Sequence, residues 1–240
     1  MTDERIALVT GANKGIGAAI AEGLAGHGLT VLVAARDPRK AADAADRIGG
    51  HPITLDVTGD DSVTAAARTV EDRFGRLDVL VNNAGISGGP RQAPGAVDLD
   101  TIRSIFDTNL FGVIRVTEAF LPLLRRGTGA RVVNVSSGTA SMTWMTDPGR
   151  TFAARGTMAG YPVSKAALNM LTVQYAKALA DAGITVNAVA PGACATDFTA
   201  ALGLSLDRTA AQGAAVAVHL ATTPGHATAS FLSDEGPVPW

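Results

Sequence analysis

Short apolar runs alternate with helical stretches along the whole chain, and that alternation constrains the fold more than any other feature of the sequence. Ile6 to Thr10 and Thr30 to Arg36 read as buried strands, and Pro52 to Val57, Leu77 to Val81, Arg131 to Val135 and Ile184 to Ala190 repeat the pattern. Between them lie helical segments. In Ser62 to Phe74, the residues Val63, Ala66, Ala67, Val70 and Phe74 share one face. Pro38 to Ile48, Leu99 to Leu124, Tyr161 to about Asp181 and Leu206 to Ala221 are the other predicted helices after Ala18 to Leu24, and Ala229 to Ser233 is a last short strand. Strands alternating with helices predict parallel βαβ units, an α/β sheet with helices on both faces. The chain has 240 residues, 47% of them hydrophobic, enough for one large domain spanning 1–240. No internal repeat, linker or second domain is visible.

Composition excludes several function classes. A net charge of -2 provides no basic footprint for nucleic acid, and no lysine/arginine cluster suggests a membrane surface. No apolar run is long enough to span a bilayer. The charged start Met1-Thr2-Asp3-Glu4-Arg5 leads directly into the first strand, which predicts no signal peptide and a cytoplasmic protein. Cys194 is the single cysteine and the histidines are four and scattered, so neither a disulfide nor a metal site is expected.

Between the first strand and the first helix stands Gly11-Ala12-Asn13-Lys14-Gly15-Ile16-Gly17. Glycines let a backbone approach a ligand closely, and a helix N-terminus offers free N–H groups and a positive dipole end, so this unit predicts a phosphate cradle. The second strand ends in Ala35-Arg36, where dinucleotide folds often carry an acid for the adenosine ribose. Arg36 and Lys14 would suit a 2′-phosphate, hence NADP, although Asp37 could fold back onto the ribose. Asn82-Asn83-Ala84-Gly85 follows the fourth strand, and cofactors sit at the carboxyl ends of such strands.

Tyr161 and Lys165 are four residues apart at the start of a helix, which stacks them on one face. An ammonium beside a phenol favours the phenolate, so the pair predicts a lowered tyrosine pKa and proton exchange with an alcohol or carbonyl oxygen. Upstream, the fifth strand ends in Ser136-Ser137, and Asn109 lies inside the long helical region. Residues 138–160 read as an irregular stretch punctuated by Met142, Trp144, Met145, Phe152 and Met158. Trp144 and Met145 either fill core or line a substrate pocket.

These residues together resemble the short-chain dehydrogenases/reductases over almost the full chain. The matching pieces are Thr10-Gly11-x-x-x-Gly15-x-Gly17, Asn82-Asn83-Ala84-Gly85, Asn109, Ser136-Ser137, Tyr161-x-x-x-Lys165 and Pro191-Gly192-x-x-x-Thr196. The resemblance implies a single Rossmann-type, doubly wound domain with a seven-stranded parallel sheet. It implies Tyr161 as general acid/base, Lys165 as the group that lowers its pKa and holds the nicotinamide ribose, and Ser137 as the residue that positions the carbonyl. Asn109 would anchor a water that relays protons to Lys165, Asp56 and Val57 would contact the adenine, and Thr196 the carboxamide. The remaining cofactor contacts would be Gly11, Asn13, Lys14, Gly15, Ile16, Gly17, Arg36, Asn83, Ala84, Gly85, Pro191 and Gly192.

Asn13-Lys14, Ala35-Arg36-Asp37 and the closing Pro237-Val238-Pro239-Trp240 are similar to the NADPH-dependent carbonyl reductase branch. So is the separation of 24 positions between Ser137 and Tyr161 (161 − 137), which implies an insertion. That branch implies a small-molecule carbonyl or alcohol substrate and favours a monomer, with a homodimer as the alternative. The rival functions are an alcohol dehydrogenase working in the oxidising direction and a non-catalytic NADP(H)-binding sensor. An intact Asn109, Ser137, Tyr161 and Lys165 argues against the sensor.

Overall fold

The computed structural model describes residues 5–89, 91–150, 157–225 and 228–240. Its sheet is built in the order β3-β2-β1-β4-β5-β6-β7-β8, with β1 Ile6–Thr10, β2 Thr30–Ala35, β3 His51–Thr54, β4 Val79–Asn82, β5 Arg131–Val135, β6 Thr185–Val189, β7 Phe231–Ser233 and β8 Gly236–Pro237. The strands β1 to β7 pair in parallel, as the alternation predicts. These are the seven parallel strands expected, and one short strand is added at the edge. There the chain turns back after Ser233, and β8 pairs antiparallel with β7 through Leu232 and Pro237. A two-residue hairpin strand is too short to leave a periodicity signal in the sequence.

Every residue of β1 is buried, as are all but the first of β2 and all of β4. Successive side chains point to opposite faces, so each strand feeds two cores at once. Leu8, Leu32, Leu80, Val132 and Val186 enter one core with Phe120 of α5 (Gly112–Leu124) and Val63 and Val70 of α3 (Asp60–Phe74). Val9, Val33, Val81 and Val133 enter the other with Ile20 and Leu24 of α1 (Gly15–Gly26) and Ala217 of α9 (Ala210–Thr222). The remaining helices are α2 Pro38–Ile48, α4 Leu99–Phe106, α6 Met142–Thr146, α7 Tyr161–Ala178 and α8 Asp197–Ala200.

The strand order reverses between β1 and β4, with Ala7 opposite Val79 and Val9 opposite Val81. Connections from β1 and β4 therefore leave in opposite directions, opening a crevice at their carboxyl ends where ligands of such sheets bind.

Three local departures from the sequence reading shape that crevice. The expected helix 99–124 is interrupted: a π-helical turn, Asp107–Phe111, separates α4 from α5. Its cause is Asn109, whose amide is tied to the main chain of Ile86 and so drawn towards the end of β4. Strand β3 stops at Thr54 rather than Val57, because the Asp56 carboxylate accepts from Thr58 N–H at 2.9 Å and Thr58 Oγ1 at 2.7 Å. The stretch read as irregular contains a 3₁₀ turn, Gly138–Ala140, and α6, each begun by a serine side chain. Ser137 Oγ accepts from Thr139 N–H, and Ser141 Oγ accepts from Trp144 N–H. Phe152 of that stretch lies outside the described residues.

Candidate active site

A cleft of about 1720 Å³ runs along the carboxyl edge of the sheet, from Gly11 and Arg36 at one end to Ser137, Tyr161 and Trp144 at the other. The first end is the glycine-rich turn. Gly11 has φ +62, which suits glycine. A Cβ on Gly17 would run into the carbonyl oxygen of Gly11 and the Asn83 amide, so the turn can close only without a side chain there. Asn83 laces the two strand ends together: its Nδ2 donates to Thr10 O at 2.9 Å and Gly11 O at 3.2 Å. The Thr10 hydroxyl in turn accepts from the N–H groups of Asn83 and Ala84.

Helix α1 starts at this turn with Lys14 as its N-cap and no side-chain cap. Its first N–H groups thus have no capping oxygen, which is the arrangement that takes a phosphate. Ala12, Asn13, Gly15 and Ile16 lie in the same turn, and all but the buried Ala12 line the cleft. Arg36 also lines it and is exposed. Asp37 lines the cleft next to Arg36. Its Oδ1 caps α2, accepting from Arg39 N–H at 3.0 Å and Lys40 N–H at 3.3 Å. Asp56 lies close enough to Arg36 to feel its charge, and the Thr58 hydrogen bonds hold its carboxyl below the usual range. Val57 is buried beside it. Lys14 forms an ion pair with Asp197 at 2.7 Å, joining the glycine-rich turn to α8 across the cleft.

At the other end, Ser137 follows β5 while Tyr161 and Lys165 open α7. Ser136 and Ser137 separate cleanly. Ser136 Oγ donates to Asn169 Oδ1 at 2.6 Å inside the protein, whereas Ser137 Oγ lies 2.9 Å from Thr139 Oγ1 and near enough to the Tyr161 phenol to act on its pKa. Lys165 is buried, and its Nζ donates to Val135 O at 2.8 Å. Asn109 is fully buried in the π turn, with Oδ1 accepting from Ile86 N–H at 2.8 Å and Nδ2 donating to Ser164 Oγ at 3.1 Å.

The electrostatics correct one expectation. The sequence predicts that Lys165 lowers the Tyr161 pKa; burial instead pushes the phenol up to about 12, with the Ser137 hydrogen bond opposing the shift. Burial also pushes the Lys165 ammonium down to about 8. The reason is geometric: Nζ turns to the Val135 carbonyl and stands 6.0 Å from the centre of the Tyr161 ring. Desolvation then outweighs the charge–phenol attraction for both groups.

Pro191, Gly192 and Thr196 line the cleft after β6. Gly192 adopts φ +77, and the Pro191 carbonyl accepts from Arg208 Nε at 3.0 Å. Thr196 and Thr199 form a reciprocal cap at the start of α8. Gly85 completes the set beside Asn83 and Ala84. The apolar walls at the Tyr161 end come from Trp144, Met145 and Met158 on one side of the chain and Phe198, Leu202 and Leu204 on the other. Trp144 also packs against the small core cluster of Ala188, Ala190, Phe231 and Val238. Met142 is 72% exposed and takes no part in a core.

Sequence reasoning missed Ser164 and Phe198. Ser164 Oγ donates to Tyr161 O at 2.7 Å while accepting from Asn109, so it links the π turn to α7. Its position three residues after Tyr161 carried the signal, because a helical serine can bond back to that carbonyl. Phe198 packs its ring against Tyr161 at 5.5 Å between centres, and no spacing in the sequence announces that contact. Among the described residues there is no cluster able to hold a metal ion, and no helix is long and apolar enough to cross a membrane.

The family model described as short chain dehydrogenase matches residues 5–207. The chain belongs to the short-chain dehydrogenase/reductase family. Short-chain dehydrogenase anuI of Penicillium roqueforti is 38% identical over 242 residues, covering 96% of this chain and 94% of that protein. A 3-oxoacyl-[acyl-carrier-protein] reductase of Synechocystis is 40% identical over 201 residues, covering 81% of this chain and 76% of its own. Among solved structures, this short-chain dehydrogenase is similar to the NADPH-bound carbonyl reductase from chicken fatty liver. The TM-score is 0.85 at 28% identity, with 99% of each chain covered. The Pseudomonas aeruginosa RhlG/NADP complex is similar at a TM-score of 0.83 and 31% identity, covering 96% of this chain and 94% of that one.

Proposed function

We propose that this short-chain dehydrogenase is an NADPH-dependent reductase of a small-molecule ketone, aldehyde or quinone, built as one NADP(H)-binding domain and working in the cytoplasm. The observation that carries the reading is the continuity of the cleft, which runs without a break from the uncapped N-terminus of α1 to the Ser137–Tyr161 pair. The residues fit the cofactor: a cradle that a Cβ at Gly17 would fill, uncapped helix N–H groups, and Arg36 with Lys14 for a 2′-phosphate. NADPH and NADP are also what the carbonyl reductase and RhlG structures hold. When bound, the cofactor supplies the hydride.

The chain's own residues would orient the carbonyl and move the proton. Tyr161 is protonated at neutral pH, since its pKa is pushed up to about 12, and its hydroxyl can give a proton to the carbonyl oxygen. Ser137 would hold that oxygen and stabilise charge developing on it. Lys165, held at Val135, would keep a cation near the phenol and the cofactor ribose, and Asn109 would fix the loop of Ile86 that borders the site. The apolar walls of Trp144, Met145 and Phe198 suit a bulky apolar carbonyl compound.

Oxidation of NADPH with a panel of ketones, quinones and aldehydes tests the reading. Tyr161→Phe is expected to lower kcat by about a hundredfold or more. Wild-type turnover in that variant would refute the mechanism.

A further inference from the structure

Between β4 and α4 the chain runs through Arg91, Ala93, Pro94, Gly95 and Ala96, all exposed, yet Gln92 in their midst is completely buried. A buried amide is costly unless its polar atoms are satisfied, and Gln92 uses both ends. Its Nε2 donates to Ser87 O at 2.7 Å and to Gly89 O at 2.5 Å. Its Oε1 accepts from the N–H of Tyr161 at 2.8 Å. Its own carbonyl accepts from Ala159 N–H at 2.8 Å. Among the described residues helix α7 has no other side-chain cap: Gly160 stands at the N-cap position, and a Cβ there would come within 2.7 Å of Gln92 Oε1. One side chain from a distant loop thus caps the helix that presents the phenol. It also fixes the strip around Ser87 that lines the cleft opposite.

We propose that Gln92 is a positioning residue for Tyr161: its carboxamide locks the first N–H of α7 to the loop after β4 and so sets where the phenol stands relative to Ser137. This rests on the reading of Tyr161 as the proton donor. Gln92 lines no part of the cleft itself, so it acts through the backbone of residue 161 and touches no reactant.

The amide is the only simple group that satisfies this place, because the Nε2 side faces two carbonyl oxygens and the Oε1 side faces an N–H. Gln92→Glu turns that into a test. Protonated, the carboxyl keeps the acceptor for Tyr161 and one donor for the carbonyls. Ionised, it sets a negative charge against Ser87 O and Gly89 O in a buried site, which disfavours the charged form and displaces the loop. The titratable or charged groups on the surrounding elements are Arg91 paired with Asp98, Asp100 and Arg103 on α4, and Tyr161 and Lys165 on α7. All are present in wild type as well, so the comparison of variant with wild type isolates the new carboxyl.

The chain has 2 tyrosines, so in a Tyr175→Phe background a single [13Cζ]tyrosine resonance reports on Tyr161. That resonance, kcat, and KM for NADPH would be followed from pH 6 to pH 9 in wild type, Gln92→Glu and Gln92→Ala. For Gln92→Glu, kcat relative to wild type should start within about threefold and fall by about tenfold or more as pH rises, with KM for NADPH little changed. The Tyr161 resonance should leave its wild-type position over the same interval. Gln92→Ala should lose kcat at every pH. If Gln92→Ala does not fold, the pH response of Gln92→Glu still decides the matter. Superimposable resonance and pH profiles for Gln92→Glu and wild type would overturn the proposal, even with a lowered Tm, and leave Gln92 as loop packing alone. If the resonance responds while the wild type reduces no carbonyl compound, the positioning stands and the reductase reading falls.

Discussion

Burying Lys165 beside a backbone carbonyl makes its charge a burden on the folded state. Its pKa falls from 10.5 to about 8, so below pH 8 the native protein carries an ammonium it would rather shed. Between pH 8 and 10.5 the unfolded chain binds more protons than the folded one, and stability rises with pH. The shift corresponds to about 3 kcal/mol, against about 1 kcal/mol for the hydrogen bond to Val135 O. Lys165→Met is therefore expected to be inactive yet about 2 kcal/mol more stable than wild type at pH 7, with the advantage shrinking by pH 9.5. Urea unfolding at the two pH values checks this, and a pH-independent difference would remove burial as the cause. The two cations of the proposed phosphate site differ in the same way. Lys14 already has Asp197, in an exposed pair that solvent screens, whereas Arg36 has no such ion pair among those described. Arg36→Ala should cost about tenfold or more in the preference for NADPH over NADH, Lys14→Ala less, and the double variant most of it. Steady-state kinetics with both nucleotides measures it, and equal use of NADH by wild type would refute the phosphate site.

At the scale of elements, the strands were legible because both of their faces are buried, and Arg131 to Val135 matches the observed β5 residue for residue. The glycine turn, Asn83 and the Tyr161–Lys165 pair were legible because each needs particular residue types at fixed separations. The π turn was not, because a single extra residue leaves the apolar pattern of 99–124 intact; only the partners of Asn109, distant in sequence, reveal it. The Tyr161 pKa was not legible either, because spacing gives proximity but says nothing of desolvation. The π turn carries its own prediction. Deleting Thr108 should close Asp107–Phe111 into regular α-helix, turn Asn109 away from Ile86, and lower kcat by about a hundredfold while the protein stays folded. Circular dichroism and the reductase assay together check it; full activity in the deletion would show that the wide turn has no part in the site.

For the molecule as a whole, the surface raises the question of assembly. Phe111, Val163 and Met170 are 49%, 49% and 60% exposed on the π turn and α7. Exposed large apolar side chains on the elements that hold Asn109 and Tyr161 favour a homodimer through the π turn and α7, against the monomer implied by the carbonyl reductase branch. Light scattering over a hundredfold range of concentration is expected to give a dimer that Met170→Lys with Phe111→Asp converts to monomer. A mass of one chain at all concentrations would restore the monomer.

Two tryptophans occur in the chain, and their placement gives it a built-in optical reporter. Trp240 stacks on Phe231 at 5.4 Å, at the far end of the last strand pair. Trp144 borders the cleft, with the Arg150 guanidinium 4.1 Å above its ring. A guest entering the cleft changes the polarity and quenching around the Trp144 indole. In a Trp240→Phe protein, emission would come from the cleft alone, so occupancy could be followed by fluorescence without attaching a dye or watching a reaction.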